Sequence, residues 1–182
     1  MQSLKELYRI GKGPSSSHTI GPERACKLFL KENAEADGFK VVLYGSLAKT
    51  GLGHGTKEVI QSVFSDVKIE GSDEEISTHP NTMDLFATKN GEEISFMRVY
   101  SVGGGAFRVE GREDTEGKEV YPLSSFTEIK EYCKQKGIRL PDYVFECEGQ
   151  KIREYLYKVW DKCNARLKRA WRQRACFPAA WA

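Results

Sequence analysis

The sequence predicts an α+β fold in which a mixed β-sheet carries helices on one face, followed by a few helices of an incomplete all-α domain. Three observations predict it. An amphipathic helical pattern precedes a β-rich run at Phe39–Ser46, two apolar runs flank the turn signal Asn90-Gly91, and strand signals nearly vanish after Pro122. We therefore expect a change of architecture near residue 122.

The first part of the chain reads as alternating helices and strands. Ser3 can cap a short helix over residues 4–10, and apolar residues spaced by three and four predict a second helix over 22–33. The run FKVVLYGS predicts a strand, LAKTGLGHGT a glycine loop and KEVIQSVFS a further helix.

The following segment is weakly patterned over residues 66–79 and then predicts a β-hairpin around Asn90-Gly91. Glycines 103–105 interrupt the strands, and short strands are possible at 107–109 and 120–121. Beyond Pro122, three helical patterns follow one another: SSFTEIKEYCKQKG, PDYVFECEG and QKIREYLYKVWDKC.

Charge and composition favour a small polar partner. The 28 basic and 26 acidic residues are interleaved along the chain and give a net charge of +2. This pattern does not predict a broad basic surface of the kind that binds nucleic acid. The start of the chain lacks both a signal-peptide run and a membrane span, so we expect a cytoplasmic protein with no nucleic-acid or membrane partner. The five cysteines form no CxxC pair, and we predict no metal ligand among them.

Four segments carry glycine, hydroxyl or histidine side chains that could surround a polar pocket: GPSSSHTIGP, GSLAKTGLGHGT, THPNT and SVGGG. They contain all three histidines of the chain. Hydroxyls beside glycine-exposed backbone N–H groups, placed before helices, suit an anionic carboxylate or phosphate.

Each segment also has a plainer interpretation. SSSHT could be a helix-entry loop, GLGHGT lacks the spacing of a nucleotide-binding glycine loop, and SVGGG could be a strand end where backbones pass closely. His79, before a proline, could be a turn residue bonded to backbone.

Taken together, the four segments resemble the iron–sulfur-dependent L-serine dehydratase family, whose small (β) domain carries GPSSSHTxGP, GSLAxTGxGHGT, HPNT and SVGGG in this order. The resemblance extends over residues 1 to about 160 and is closest to single-chain forms. It implies a β-like domain over 1–122 and the first helices of the cluster-binding α domain over 123–164, with 165–182 left as a probable out-of-frame tail.

The resemblance implies that L-serine loses water by α,β-elimination and yields pyruvate and ammonia, with a [4Fe-4S] cluster as Lewis acid. His54 is the expected base and His18 a second catalytic residue, because imidazole titrates near neutral pH. The expected substrate contacts are Ser16, Ser17, Thr56, Ser101, Gly103 and Asn81. We expect no metal ligand in this chain and a missing C-terminal domain that holds the cluster. We also expect either a homodimer or association with a helical-domain chain.

The ending departs from the family pattern. In the family, this region continues as something like GLAAEGVLPGGL. A coding sequence for that peptide can be written with freely chosen third codon bases. Read one base later, it gives AWRQRACFPAAW, which is residues 170–181 of this chain. We therefore expect a frameshift upstream of Ala170 and an inactive chain. A basic tail that binds nucleic acid or membrane is the alternative for this stretch.

A second function remains open for the whole chain. The same pocket could serve a non-catalytic module that senses serine or another small carboxylate, because the family's small domain resembles the substrate-sensing domain of some phosphoglycerate dehydrogenases. The contribution of His54 to turnover, rather than to ligand affinity alone, distinguishes the two.

Overall fold

The computed structural model describes residues 1–113 and 119–173. Its described residues form two compact units, one from Gly11–Glu116 and the other from Met1–Ile10 together with Gly117–Ala182. We call them the sheet unit and the helical unit. The division of the chain into domains at residues 122 and 164 stays a prediction.

The described residues form seven helices and five strands. The helices are α1 (Leu4–Leu7), α2 (Ile20–Glu32), α3 (Gly45–His54), α4 (Thr56–Gln61), α5 (Phe126–Lys136), α6 (Leu140–Glu148) and α7 (Lys151–Gln173). The strands are β1 (Gly38–Leu43), β2 (Val67–Gly71), β3 (Thr82–Lys89), β4 (Glu92–Gly103) and β5 (Ala106–Val109).

The strands form one mixed sheet in the order β2-β1-β3-β4-β5. β1 pairs with β2 in parallel, and the other neighbouring pairs are antiparallel. The predicted hairpin is confirmed: β3 and β4 are joined at Asn90 and Gly91, whose φ angles of 54° and 83° are those of a tight turn between twisted strands. β2, in the weakly patterned stretch, was not predicted, because a short edge strand shows little alternation.

One face of the sheet holds the core. Alternate residues of the three central strands, among them Leu43, Leu85 and Val99, pack against α2 through Phe29 and against the α3–α4 pair through Leu47. Each fully buried aliphatic side chain contributes about 1.5–3 kcal/mol to folding. The predicted α+β fold, a mixed sheet with covering helices, is confirmed.

The stretch expected as a glycine loop is instead the helix α3. Glycine disfavours helix by about 0.5–1 kcal/mol relative to alanine, but Leu47 on α3 is fully buried against the sheet. Gly45 begins the helix at a φ of 49°, and the Ser46 N–H donates to the Pro80 carbonyl at 2.8 Å. Tertiary packing and this bond outweigh the local preference, so the loop prediction was wrong.

The helical unit confirms the three helices expected after Pro122. α5 starts with a capping box in which Ser125 and Glu128 bind each other's backbone N–H groups. The helix predicted over 4–10 ends at Leu7, and the strand predicted at 120–121 is reduced to a bridge between Gln2 and Glu119. α7 continues through residues 165–173, and residues 174–182 of the expected tail lie outside the described chain.

Two glycines offer a matched test of the fold. Replacing Gly91 by alanine should destabilise the protein by about 1–2 kcal/mol, because its φ of 83° disfavours any Cβ although the space is open. Replacing Gly53, a helical glycine of α3 that also faces open space, should stabilise it by about 0.5–1 kcal/mol. Urea unfolding of both variants measures the difference, and equal effects of the same sign would contradict this account.

Candidate functional site

The sheet unit joins the four glycine- and hydroxyl-bearing segments by hydrogen bonds. The Ser46 N–H donates to the Pro80 carbonyl at 2.8 Å, the Ser101 N–H to the Asn81 carbonyl at 2.9 Å, and the Ser101 hydroxyl to the Ser17 carbonyl at 2.7 Å. Segments far apart in sequence therefore meet at one place, as a shared polar site requires.

His18 lies at the centre of this place and is 8% exposed. Its Nδ1 is 3.0 Å from the Ser15 hydroxyl and 3.1 Å from the Ser17 hydroxyl, whereas its Nε2 is 3.0 Å from Thr50 Oγ1 and 3.1 Å from Ser46 Oγ. Both ring nitrogens thus have neutral hydroxyl partners.

The pKa of His18 is below its ordinary value. Burial disfavours the imidazolium most, and the neighbouring His54 lowers the pKa further, while a hydrogen bond with the Ser46 backbone opposes both effects. The site therefore holds His18 neutral at pH values where a solvent-exposed histidine would be partly charged.

His54 stacks beside His18, with ring centroids 4.7 Å apart and the rings tilted by 42°. Its Nδ1 lies 3.0 Å from the backbone carbonyl of Thr50, one helical turn earlier. A carbonyl can accept but never donate, so neutral His54 carries its proton on Nδ1 and keeps the lone pair on Nε2. A lone pair on the outer nitrogen is what a proton-abstracting base needs.

Helix α3 explains why these groups share one face. Ser46, Thr50 and His54 follow one another at intervals of four residues, which places them along one side of a helix. We did not predict Ser46 and Thr50 as site residues. The four-residue spacing was the available signal, and it was missed because the glycines favoured a loop.

A cavity of about 500 Å³ is lined by Ser46 and Thr50, whose hydroxyls also contact His18 Nε2. Lys49 lies in its wall with Glu75, and their side chains are 3.7 Å apart. Ser77 and Pro80 complete the opposite side. An ammonium group and several hydroxyls around a space of this size suit a small molecule with a carboxylate.

The other predicted contacts fall into two groups. Thr56 Oγ1 and Asn81 Oδ1 are buried polar atoms without a hydrogen-bond partner within the described chain, and such atoms are costly unless a ligand or water satisfies them. Ser101 uses its hydroxyl proton on Ser17.

For Ser16 and Gly103 the structure shows backbone roles. The Ser16 carbonyl accepts from the Gly21 N–H at 3.0 Å, and Gly103 takes a φ of 105° where β4 turns towards β5. Contact of these two residues with a substrate, like that of the other predicted residues, stays a prediction.

The described residues do not fit an iron–sulfur cluster. Cys26 is buried in the sheet core, where burial raises the pKa of its thiol, whereas Cys133 and Cys147 pack in the helical unit. Within residues 1–113 and 119–173, no three His, Cys, Asp or Glu side chains are grouped so that they could hold a metal ion. Cys176 lies outside these ranges.

This arrangement is that of an α+β domain in which two imidazoles and hydroxyls from separate segments meet at one place. Residues 3–74 match the family model for the serine dehydratase beta chain. The segments of His18 and His54 both lie within the matched range.

The chain is also similar to curated L-serine dehydratases. L-serine dehydratase 2 of Escherichia coli (strain K12) is 28% identical over 93% of this chain and 49% of its own length. The L-serine dehydratase of Streptomyces coelicolor is 28% identical over 97% and 51%, and L-serine dehydratase TdcG of E. coli is 30% identical over 77% and 41%.

These matches support a serine dehydratase beta-domain protein. It spans about half the length of the curated relatives it matches. No helix in the described part is long and apolar enough to cross a membrane.

The lowered pKa of His18 predicts how stability depends on pH. Below the ordinary histidine pKa of about 6.5, the unfolded chain binds a proton at His18 that the native chain resists, so the free energy of unfolding should fall as the pH is lowered from 6.5. Replacing His18 by asparagine should flatten this dependence between about pH 5 and 6.5.

The measurement is urea unfolding at several pH values. The parent chain, measured in the same buffers, is the reference for the slope. An unchanged slope in His18→Asn would contradict the assignment of His18 as a buried neutral imidazole.

Proposed function

We propose that this chain supplies the proton-transferring and carboxylate-binding part of an L-serine dehydratase, which converts L-serine to pyruvate and ammonia. The single observation that carries the proposal is the pair of imidazoles 4.7 Å apart, in which the Thr50 carbonyl binds Nδ1 of His54 and so favours a lone pair on Nε2. The names of the relatives support the choice of L-serine.

His54 acts as the base in this proposal. Its Nε2 lone pair takes the α-proton of L-serine, the Cα–H electron pair becomes the C=C bond, and the β-hydroxyl takes a proton from solvent and leaves as water, so that aminoacrylate is formed. The proton held by His54 then returns to solvent. Aminoacrylate then hydrolyses to pyruvate and ammonia, which balances the reaction. His18 lies beside this base, where burial lowers its pKa and favours the neutral imidazole, and its ring nitrogens contact hydroxyls of its own segment and of α3.

The carboxylate and amino groups of the substrate need partners of their own. Lys49 and the hydroxyl of Ser46, both in the cavity wall, are suited to hold the carboxylate, and Ser17 remains a proposed contact. The unpaired Thr56 Oγ1 and Asn81 Oδ1 are suited to polar atoms of the substrate or a bridging water. Ser101 holds the Ser17 segment in place, and Ser16 and Gly103 remain proposed contacts.

The [4Fe-4S] cluster that the family resemblance implies belongs to the complete enzyme in this proposal. The described residues offer it no ligand set, so we derive no step of the reaction through it. The chain by itself is then inactive. We further propose that the enzyme acts in the cytoplasm, with neither nucleic acid nor membrane as partner, and as a homodimer or with a helical-domain chain.

Turnover of L-serine tests the proposal. Pyruvate should form in a longer version of this chain that continues in frame through the helical domain, reconstituted anaerobically with iron and sulfide, and not in the present chain alone. In that longer chain, His54→Gln should lower kcat by about 100-fold or more, as expected for loss of a general base.

Lys89→Gln, at an exposed position at the end of β3, provides the control and should retain most of the activity. If His54→Gln turns over L-serine within about threefold of the parent, His54 is not the base. If the longer chain binds L-serine without forming pyruvate, the alternative of a serine-sensing module is the correct one.

A further inference from the structure

Thr50 makes hydrogen bonds to both histidines of the site. Its side-chain Oγ1 lies 3.0 Å from His18 Nε2, and its backbone carbonyl lies 3.0 Å from His54 Nδ1. The Oγ1 also lies 2.8 Å from the backbone carbonyl of Ser46. One residue in the middle of α3 therefore touches a ring nitrogen of each imidazole, and the chemistry of its three bonds fixes where the protons lie.

The hydroxyl of Thr50 has a single proton, and the Ser46 carbonyl requires it. Because a carbonyl oxygen has no proton to give, the Thr50 hydroxyl must be the donor in this 2.8 Å bond. Thr50 Oγ1 can then only accept from His18, which places the His18 proton on Nε2. The lone pair then left on Nδ1 can accept a hydrogen bond from the hydroxyl of Ser15 or Ser17.

A second hydroxyl group can accept the same Nε2–H of His18. Ser46 Oγ, 3.1 Å from Nε2, can share that N–H as an acceptor and keep its own proton for a ligand.

His54 takes the opposite arrangement because the Thr50 backbone carbonyl accepts its Nδ1–H. Neutral imidazole in water favours the proton on Nε2. The carbonyl therefore holds His54 in the tautomer that free histidine disfavours, with the lone pair on the nitrogen that points away from α3.

We propose that Thr50 is a positioning residue that holds His18 and His54 in opposite tautomers, so that His18 donates its Nε2–H to Thr50 and His54 presents its Nε2 lone pair. This inference deepens the proposed function and rests on it for its catalytic meaning. The tautomers themselves are properties of this chain without any substrate, and they can be measured separately.

The first experiment determines the tautomers in the chain as it exists. Two-bond ¹⁵N–¹H correlation spectra of the imidazole rings, recorded on labelled protein above pH 8, should show an Nε2–H pattern for His18 and an Nδ1–H pattern for His54. With three histidines in the chain, substitution of each one in turn assigns the signals. The same tautomer on both rings would overturn the proposal.

The second experiment removes the hydroxyl group and leaves the backbone carbonyl in place. Thr50→Val should reduce the Nε2–H population of His18 and lower its pKa by about half a unit, because the imidazolium loses an acceptor. Thr50→Ser keeps the hydroxyl and should restore both values, and His54 should stay in its Nδ1–H form in both variants. Thr50→Ala is the substitute if valine prevents folding.

If Thr50→Val leaves the His18 tautomer and pKa as in the parent, Thr50 does not position His18. If Thr50→Ser changes them as strongly as Thr50→Val, the effect comes from packing and the proposal is likewise wrong. These spectra need neither cluster nor substrate. A failure of serine turnover with the expected tautomers would therefore count against the proposed function and leave the role of Thr50 standing.

Discussion

The two ring nitrogens of His18 need hydrogen-bond partners from the protein, because this side chain is only 8% exposed. The sheet unit brings separate segments together around the ring to supply them. An unpaired buried nitrogen would cost about 1–3 kcal/mol. Hydroxyls from its own segment satisfy Nδ1, and hydroxyls from α3 satisfy Nε2. These bonds tie the α2 entry segment to α3, so the interaction that orders the site also joins two elements of the fold.

The two faces of the sheet differ in the kind of interaction they make. One face carries the apolar core under the helices, while Asp84 on the other accepts two hydrogen bonds of 2.7 Å from Arg98 and one from the Tyr44 hydroxyl. Tyr44 directly precedes α3, so this network anchors the strand end from which the site helix departs. A bidentate pair with Arg98, only partly exposed, is stronger and more directional than an ion pair in water.

The sequence of α3 has a low helix propensity, and α3 carries residues of the candidate site. A helix that contains Gly51 and Gly53 and begins at Gly45 is weak in isolation. At Gly51, an added Cβ would meet the Thr56 side chain at 3.3 Å, so the small residue permits this close approach. Natural sequences depart from local preference mainly where function requires a particular geometry.

The sequence by itself determined the α+β class, the hairpin at Asn90-Gly91, the helices after Pro122 and the segments that surround the site, because periodicity and turn chemistry are local properties. It also indicated His18 and His54. Only the tertiary structure decided that Gly45–His54 is a helix, that Val67–Gly71 is an edge strand, and that Ser46 and Thr50 reach His18. Those outcomes depend on burial of Leu47 and on bonds between distant segments, which no local pattern records.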